Sequence, residues 1–495
     1  MTTHDLYLLS PELSLAALGL VIIILDLFVR RKGILGVVAV AGLVVPLAFS
    51  IALWREVSGD PDGQMVGMFS TLAVDKFSLF FKFLVMGILA LVIMSSVEYL
   101  SRIKQFQGEY YALMVFSAGG MMLLAATTDL ISIYIALELT ALPLAALAAF
   151  MRDSRSTEAG VKFLLLSAMS SAVLLYGMAL TYGFTGTTQL PEIFERLGAS
   201  LDGTVPFGSH ALFLGVIMIV AGFGFKISAV PFQMWVPDVY EGAPTPVTAY
   251  LSVGSKAAGL AVILRVFYLA FGEISLDWSS LFAVLSAVSM TVGNLVAIAQ
   301  SNIKRMLAYS TIAHAGFLLM GVAAIATRVP VGETTIGPSG VLFYLAGYAV
   351  TNLAAFFAII AISSRTGSDM ISSFAGMGRR APVLAIILAF SMVSLLGLPP
   401  TVGFMGKLYM FSAAMKSDLA WLVIVGVLNS AVSAYYYMRV IRVMYMSPPE
   451  AEESVKVAYA PQAALYITGL GILALGIFPG PLIKVAERAV AVLFM

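Results

Sequence analysis

Four charged residues sit deep inside apolar stretches of this 495-residue chain: Glu138, Lys226, Lys256 and Lys407. Each costs roughly 2.5–3.5 kcal/mol at the centre of a membrane helix, so such groups are usually paired and usually functional. Lys256 lies about 16 Å past Thr245 on a helix rising 1.5 Å per residue, and Glu138 about 12 Å past Leu130, depths that argue against snorkelling. The chemistry open to such groups is proton relay. A buried lysine loses proton affinity through desolvation and regains it from a nearby carboxylate, so moving the partner moves the proton. Arginine stays protonated and would make the better permanent pair, so the choice of lysine favours a relay. The plain alternative is a set of static ion pairs holding helices together. Four charges of mixed sign in separate helices fit that less well. His314, in Ile312-Ala313-His314-Ala315-Gly316, is either a hydrogen-bonded packing residue or a further carrier, since imidazole exchanges protons near neutral pH.

Two of the lysines stand beside helix breakers. Lys226 precedes Pro231 and Pro237, and Lys407 follows Gly397-Leu398-Pro399-Pro400-Thr401-Val402-Gly403. Proline removes a backbone donor and frees a carbonyl. In lipid such a break survives only where protein or a water-filled cavity satisfies the freed groups. Simple packing kinks are the alternative. Paired breaks in two halves of a bundle point instead to an internal repeat around a midplane site. Pro231 and Pro399 are about 170 residues apart, the length of five spanning helices with their loops.

The elements that carry these residues follow from hydropathy. Of all residues 60% are hydrophobic and 11% charged, against about 25% charged in an ordinary soluble domain. Apolar runs such as Val383–Leu398 and Leu419–Val432 recur along the chain, and about 20 residues suffice to span the bilayer core as a helix. The expected class is an all-α polytopic membrane protein of about fourteen transmembrane helices. The expected spans are 6–29, 34–54, 76–100, 110–127, 130–150, 162–184, 210–229, 245–271, 279–300, 305–327, 338–363, 382–415, 419–445 and 461–478. No linker separates domains, so 1–495 reads as one membrane domain: N-terminal helices over about 1–109, five-helix units over 110–271 and 279–445, and a terminal helix in 461–495. The connections Arg55–Ala73 and Thr185–Ser209 read as loops. Met1–Glu12 has no basic region ahead of its apolar run, so the first helix reads as retained and not as a cleaved signal.

Charge orients the bundle. Most of the 28 lysines and arginines fall in odd-numbered loops: Arg30, Arg31, Lys32, Arg102, Lys104, Arg152, Arg155, Lys162, Lys304, Arg305, Arg365, Arg379, Arg380, Arg439, Arg442 and Lys456. Even loops and nearby helix ends hold Arg55, Lys76, Lys82, Arg196, Arg265, Arg328 and Lys416, with Lys484 and Arg488 in the C-terminal tail. The positive-inside rule then puts odd loops in the cytoplasm and both termini outside. Asp26 reads as interfacial, paired with Arg30 or Lys32.

The chain has no cysteine and only His4, His210 and His314 as histidines. Disulfides, cysteine-ligated iron–sulfur clusters and thiolate zinc sites are excluded, and a histidine-built metal centre is not expected. A net charge of +1 without a basic, aromatic-interleaved patch gives no sign of nucleic-acid binding.

Three stretches carry a resemblance. They are Lys226 with Val230-Pro231-Phe232-Gln233-Met234-Trp235-Val236-Pro237-Asp238-Val239-Tyr240-Glu241-Gly242-Ala243-Pro244-Thr245-Pro246 running on to Lys256; Asn302-Ile303-Lys304-Arg305 through His314-Ala315-Gly316; and Gly403-Phe404-Met405-Gly406-Lys407. Together they resemble the antiporter-like, proton-channel subunits of complex I, the respiratory NADH–quinone oxidoreductase, over nearly the whole chain. The N-type branch fits best, since the chain stops after its fourteenth helix and has Lys407 where M-type subunits have glutamate. The resemblance implies two inverted five-helix repeats with broken helices 7 and 12. It implies a proton relay in which Glu138 pairs with Lys226, Lys256 is central, His314 lies between, and Lys407 is on the exit side. It implies a non-redox translocase subunit in a bacterial inner membrane, with no cofactor on this chain. NADH, flavin, iron–sulfur clusters and quinone are then expected on the other subunits that would be its partners. Gln233 departs from the pattern, because many relatives have histidine there and an amide cannot take up a proton.

Three other readings compete. A subunit of a multisubunit cation/proton antiporter shares the motifs. A solute permease shares the broken-helix plan but should line a cavity with polar side chains. A structural anchor would not need lysine in three helices.

Overall fold

The computed structural model describes residues 2–30, 32–60, 63–101, 106–200, 208–325, 335–449 and 458–494. Arg31, Arg102, Lys104, Arg328 and Lys456 lie outside the described residues. Among those described, 13 helices are long and apolar enough to cross a membrane. The segment expected as a single helix over 382–415 is two pieces, Pro382–Leu396 and Val402–Lys416, parted at the proline pair. The expected helix over 210–229 ends at Ile227, and a short helix, Trp235–Gly242, follows the break.

Several spans start where a short polar side chain replaces the missing helical acceptor. Asp75 accepts from the Ser78 amide, Asp129 from those of Ile131 and Ser132, and Asp153 from that of Ser156. Asn302 accepts from the Lys304 and Arg305 amides. Two of these caps belong to matching joints. Leu130 N donates to Thr188 O and Leu190 N to Thr128 O, both at 2.9 Å; Ile303 N donates to Asp369 O and Ile371 N to Ser301 O, also at 2.9 Å. In each joint the start of one span is laced to the loop after the next span.

Three spans form the core of the bundle. Thr245–Leu269 and Ile303–Ala323 are each 94% buried and Ile336–Thr366 is 89% buried, whereas Ser10–Phe28 is 22% buried and faces outward. The core spans carry Lys256, His314, Tyr344 and Tyr348. Apolar residues such as Leu20, Ile24, Ile131, Leu165 and Leu428 remain exposed on the outer helices, as lipid-facing positions should.

Three connections hold more structure than hydropathy reveals. The stretch expected as the loop Arg55–Ala73 contains a β-hairpin pairing Gln64–Gly67 with Leu72–Asp75. The expected loop Thr185–Ser209 contains the helix Leu190–Ser200. Beyond the last span, Gly480–Val490 forms an amphipathic helix against Ile336–Thr366 and Lys76–Leu100. Asp26 pairs with Lys32 at 2.8 Å, as expected. Lys82 and Arg265 correct the sequence reading, which placed them at helix ends. Both are buried in ion pairs, Lys82 with Glu12 and Arg265 with Asp75, each at 2.9 Å.

Candidate functional site

Lys226 is the penultimate residue of Gly208–Ile227, and its ammonium donates to Ser167 Oγ at 2.9 Å. One helical turn further along Ser154–Thr185, Ser171 donates a short hydrogen bond to Glu138 Oε1. Residues four apart share a helix face, so one helix presents a hydroxyl to the carboxylate and another to the ammonium. The direct Glu138–Lys226 pair expected from the resemblance is not among the described ion pairs; each group instead meets a serine hydroxyl of Ser154–Thr185. Glu138 is half-buried beside the outward-facing Ile135 and Leu139, while Lys226 is buried. A cavity of about 20 Å3 touches Lys226, Thr140 and Ser255. A space of about 10–15 Å3 or more holds one water molecule, and Ser255 is next to Lys256.

The break after Ile227 shows where the freed backbone groups go. Trp235 Nε1 donates to Phe225 O at 3.0 Å, and Val230 N donates to Ser289 Oγ at 2.9 Å. The ammonium of Lys256 takes Ile227 O at 3.0 Å and Thr311 O at 3.3 Å. Lys407 repeats the arrangement at the second break, donating to Leu396 O at 2.8 Å and to Ser430 Oγ at 3.2 Å. Ile227 and Leu396 are each the last residue of a helix, where carbonyls lack intrahelical partners and the dipole favours a cation. Each break therefore presents a fixed acceptor to a buried ammonium. Gly397 makes room for this: its φ is +90°, and a Cβ there would lie 2.8 Å from Lys407 Cδ.

Lys256 begins a helix right after one π-helical turn, Leu251–Ser255. Such turns are rare and cluster at functional sites; nothing in the periodicity of the sequence announces it. Asn352 donates to Ser252 within that turn at 2.6 Å.

Between Lys256 and Lys407 stands His314, buried, with both ring nitrogens engaged. Nδ1 is 2.6 Å from Tyr344 OH and Nε2 is 3.2 Å from Tyr437 OH. Tyr437 OH also meets Ser310 Oγ at 2.5 Å, and Tyr348 OH meets Thr311 Oγ1 at 2.9 Å. Lys407 lies 4.6 Å from the centre of the Phe317 ring, one helical turn from His314. Tyr344, Tyr348 and Tyr437 thus surround His314 and its neighbours with hydroxyls.

At the end of the bundle rich in lysine and arginine, the loop after the first break becomes a charged joint. Asp238 binds Lys162 at 2.8 Å and Arg305 at 3.0 Å; Glu241 binds Arg155 and Arg305, both at 2.8 Å. Partial burial works against ionisation of Asp238, but Lys162 and Arg305 together hold its carboxyl below the usual range. Lys304 donates to the carbonyls of Glu241 at 2.9 Å and Ala243 at 2.8 Å. A cavity of about 200 Å3 opens between Arg155, Lys162, Asp238, Glu241 and Arg305. Phe163, Trp235 and Phe225 stack between this joint and Lys226, with Trp235 at 4.8 Å from Phe163 and 5.4 Å from Phe225. Gln233 Oε1 is buried with no hydrogen-bond partner among the described residues. No three His, Cys, Asp or Glu side chains converge as a metal-ligand set among the described residues.

The family model described as "NADH:quinone oxidoreductase/Mrp antiporter, TM" matches residues 127–433, which hold Glu138, Lys226, Lys256, His314 and Lys407. NADH-quinone oxidoreductase subunit N of Dehalococcoides mccartyi is 42% identical over 97% of this chain and 98% of its own length. A chain of respiratory complex I from Thermus thermophilus with bound aureothin is 31% identical, covers 96% of this chain and 98% of its own, and superposes with a TM-score of 0.77. A chain of the Mrp complex from Dietzia sp. superposes at 0.85 with 21% identity, covering 100% of this chain and 98% of its own, which shows a shared fold. The chain belongs to the NADH:quinone oxidoreductase/Mrp antiporter transmembrane family.

Proposed function

We propose that this chain is the antiporter-like, proton-translocating subunit N of an NADH–quinone oxidoreductase, moving protons along Glu138, Lys226, Lys256, His314 and Lys407 while quinone is reduced elsewhere in the complex. One observation carries the proposal: buried lysines sit on carbonyls freed by two broken helices, with hydroxyls and an imidazole between them. Lysine there can give up a proton, and the carbonyl then remains as a fixed acceptor for the next one.

The two laced joints support an inverted repeat. Asp129 and Asn302 cap equivalent helices, yet one follows the fourth span and the other the ninth, so they lie at opposite ends of the bundle. Counting from these caps, Thr311 occupies the place of Glu138. On this reading 110–271 and 279–445 are half-channel units, 1–109 adds three N-terminal helices, and 461–495 holds the terminal helix. The lysine- and arginine-rich end faces the cytoplasm of a bacterial inner membrane, with both termini outside. Electron carriers (flavin, iron–sulfur clusters and quinone) belong to partner subunits, because this chain has no cysteine to hold a cluster. The second reading, a subunit of a cation/proton antiporter, rests on the fold shared with the Mrp chain; the 42% identity to a subunit N favours the first.

The test is proton uptake in inverted membrane vesicles respiring on NADH. Lys256→Ala should abolish uptake while the complex still assembles. Native uptake in an assembled Lys256→Ala complex sinks the relay.

A further inference from the structure

The short helix Trp235–Gly242 turns one more chemical group inward, the hydroxyl of Tyr240. Tyr240 is fully buried, and its hydroxyl has no hydrogen-bond partner among the described residues. Other buried tyrosines are satisfied: Tyr250 on Met114 O, Tyr344 on His314, Tyr348 on Thr311, Tyr436 on Asn294 and Tyr437 on Ser310. A missing bond alone assigns no role, since Ser117 and Ser228 lack one too. The placement of Tyr240 does.

The Tyr240 hydroxyl faces the side chains of Thr311 and Tyr348. Those two already share a hydrogen bond of 2.9 Å, so three hydroxyls gather, one from the first broken helix and two from helices of the second half. The carbonyl of the same Thr311 holds the Lys256 ammonium at 3.3 Å. The backbone around Tyr240 is pinned in this position. Thr248 donates to its carbonyl at 3.1 Å, and Lys304 donates to those of Glu241 at 2.9 Å and Ala243 at 2.8 Å. Lys304 and Thr311 are seven residues apart, two turns along one helix face. That face therefore grips the short helix at one level and meets the Tyr240 hydroxyl at the next. On the other side, Asp238, Glu241 and Gly242 line the cavity of about 200 Å3 in the charged joint, room enough for water. The direct way from that joint to Lys226 is filled by the rings of Phe163, Trp235 and Phe225.

We propose that Tyr240 is a further relay residue, the inlet through which Lys256 exchanges protons with the charged joint. Both acceptors of Lys256 are carbonyls, which accept hydrogen bonds but have no proton to pass, whereas a hydroxyl both donates and accepts. On loading, a hydronium in the joint gives a proton to the Tyr240 hydroxyl as the phenol passes its own to Thr311 Oγ1, and the Thr311 proton goes to the neutral Lys256 amine. Both hydroxyls end as they began; hydronium has become water and the amine has become ammonium. The proposal rests on the reading of this chain as a proton-translocating subunit and names where its central lysine is loaded.

The test is proton uptake by inverted vesicles holding the whole complex, normalised to assembled complex. Tyr240→Phe keeps the ring and removes only an unbonded buried hydroxyl, so a packing role predicts native assembly and native uptake. The inlet predicts native assembly with slow uptake. A positioned proton-transfer group contributes about 10²–10⁴ to a rate, so uptake should fall at least about tenfold. Thr311→Val should lose as much, and Thr311→Ser, which returns a hydroxyl, should recover most of that loss. The double variant Tyr240→Phe/Thr311→Val should be no slower than the slower single one, because the two hydroxyls act in series. Native uptake with Tyr240→Phe, failure of that variant to assemble, or multiplied losses in the double variant would each overturn the proposal. Failure of the relay itself is distinguishable. It requires Lys256→Ala to pump normally, whereas native uptake with Tyr240→Phe beside a dead Lys256→Ala removes the inlet alone.

Discussion

Glu138 and Lys226 each meet a hydroxyl of the same third helix: Ser171 donates to Glu138, and Lys226 donates to Ser167 one turn away. Hydroxyls both donate and accept, so in the proposed relay these two serines can pass a proton as well as hold the two charges in place. This geometry makes the serines as testable as the carboxylate.

Glu138→Gln should leave the Lys226 ammonium without its counter-charge and slow proton transport in an assembled complex. The double variant Ser167→Ala/Ser171→Ala should do nearly the same, although no charge is altered. A hydrogen bond to a charged group is worth about 1.5–3 kcal/mol, so removing both hydroxyls should slow a transfer through them about tenfold or more. The measurement is the initial rate of proton uptake by vesicles, normalised to the amount of assembled complex. Full transport with Gln at position 138 would falsify the modulating role.

Lys256 caps Ile227 O, and the proposed relay gives it a second duty as a proton carrier. Lys256→Arg keeps a cation for the carbonyl but cannot release a proton, so assembly should survive and pumping should fail. Lys256→Met should also fail to pump and should leave less complex assembled than Lys256→Arg does, because an orphaned buried carbonyl costs about 1–3 kcal/mol. Comparing complex abundance with proton uptake for the two variants separates the duties. If Arg pumps normally, Lys256 is an electrostatic anchor.

How much of this was readable without coordinates follows from which physics each feature obeys. Hydropathy reads the solvent, so the spans around Glu138, Lys226, Lys256 and Lys407 were legible from composition alone. Proline chemistry likewise placed the breaks at Pro231 and Pro399. Partner choice is tertiary, and here the sequence was silent: nothing local says that Lys256 takes Ile227 O, or that Tyr344 and Tyr437 flank His314. Lys82 and Arg265 were misplaced because a charge near the end of an apolar run looks interfacial until its partner is known. The helix Gly480–Val490 was missed because averaging hydropathy over a span-length window erases an amphipathic period.

Arg265 and Asp75 contrast with the relay, being a permanent pair in which the guanidinium cannot deprotonate. Arg265→Ala should strand a fully buried carboxylate and destabilise the subunit by about 3–5 kcal/mol. The double change Arg265→Met/Asp75→Asn should recover most of that loss. Abundance of detergent-solubilised complex against temperature reads both. Equal loss in single and double variants would mean that the pair does more than balance charge.

Gly397 should tolerate no side chain. Its φ of +90° disfavours any L-residue, and an added Cβ would press on Lys407. Gly397→Ala should therefore move the ammonium off Leu396 O and impair pumping although no titratable group is lost. Native pumping in this variant would show that the 2.8 Å contact is dispensable.

Lys407→Ala tests whether the chain couples to redox work without performing it. In the proposed relay the groups act in series, so removing the last lysine should stall the groups before it. Stalled protonation should in turn hold back quinone reduction, since the proposed function couples the two across subunits. NADH oxidation with the native quinone should fall in intact membranes. NADH oxidation with a soluble acceptor that takes electrons upstream should stay at the native rate, because no electron carrier has been touched. The two assays run on the same membranes, with assembled complex as the common denominator. A parallel fall in both would place electron transfer on this chain, and a fall in neither would remove Lys407 from the path.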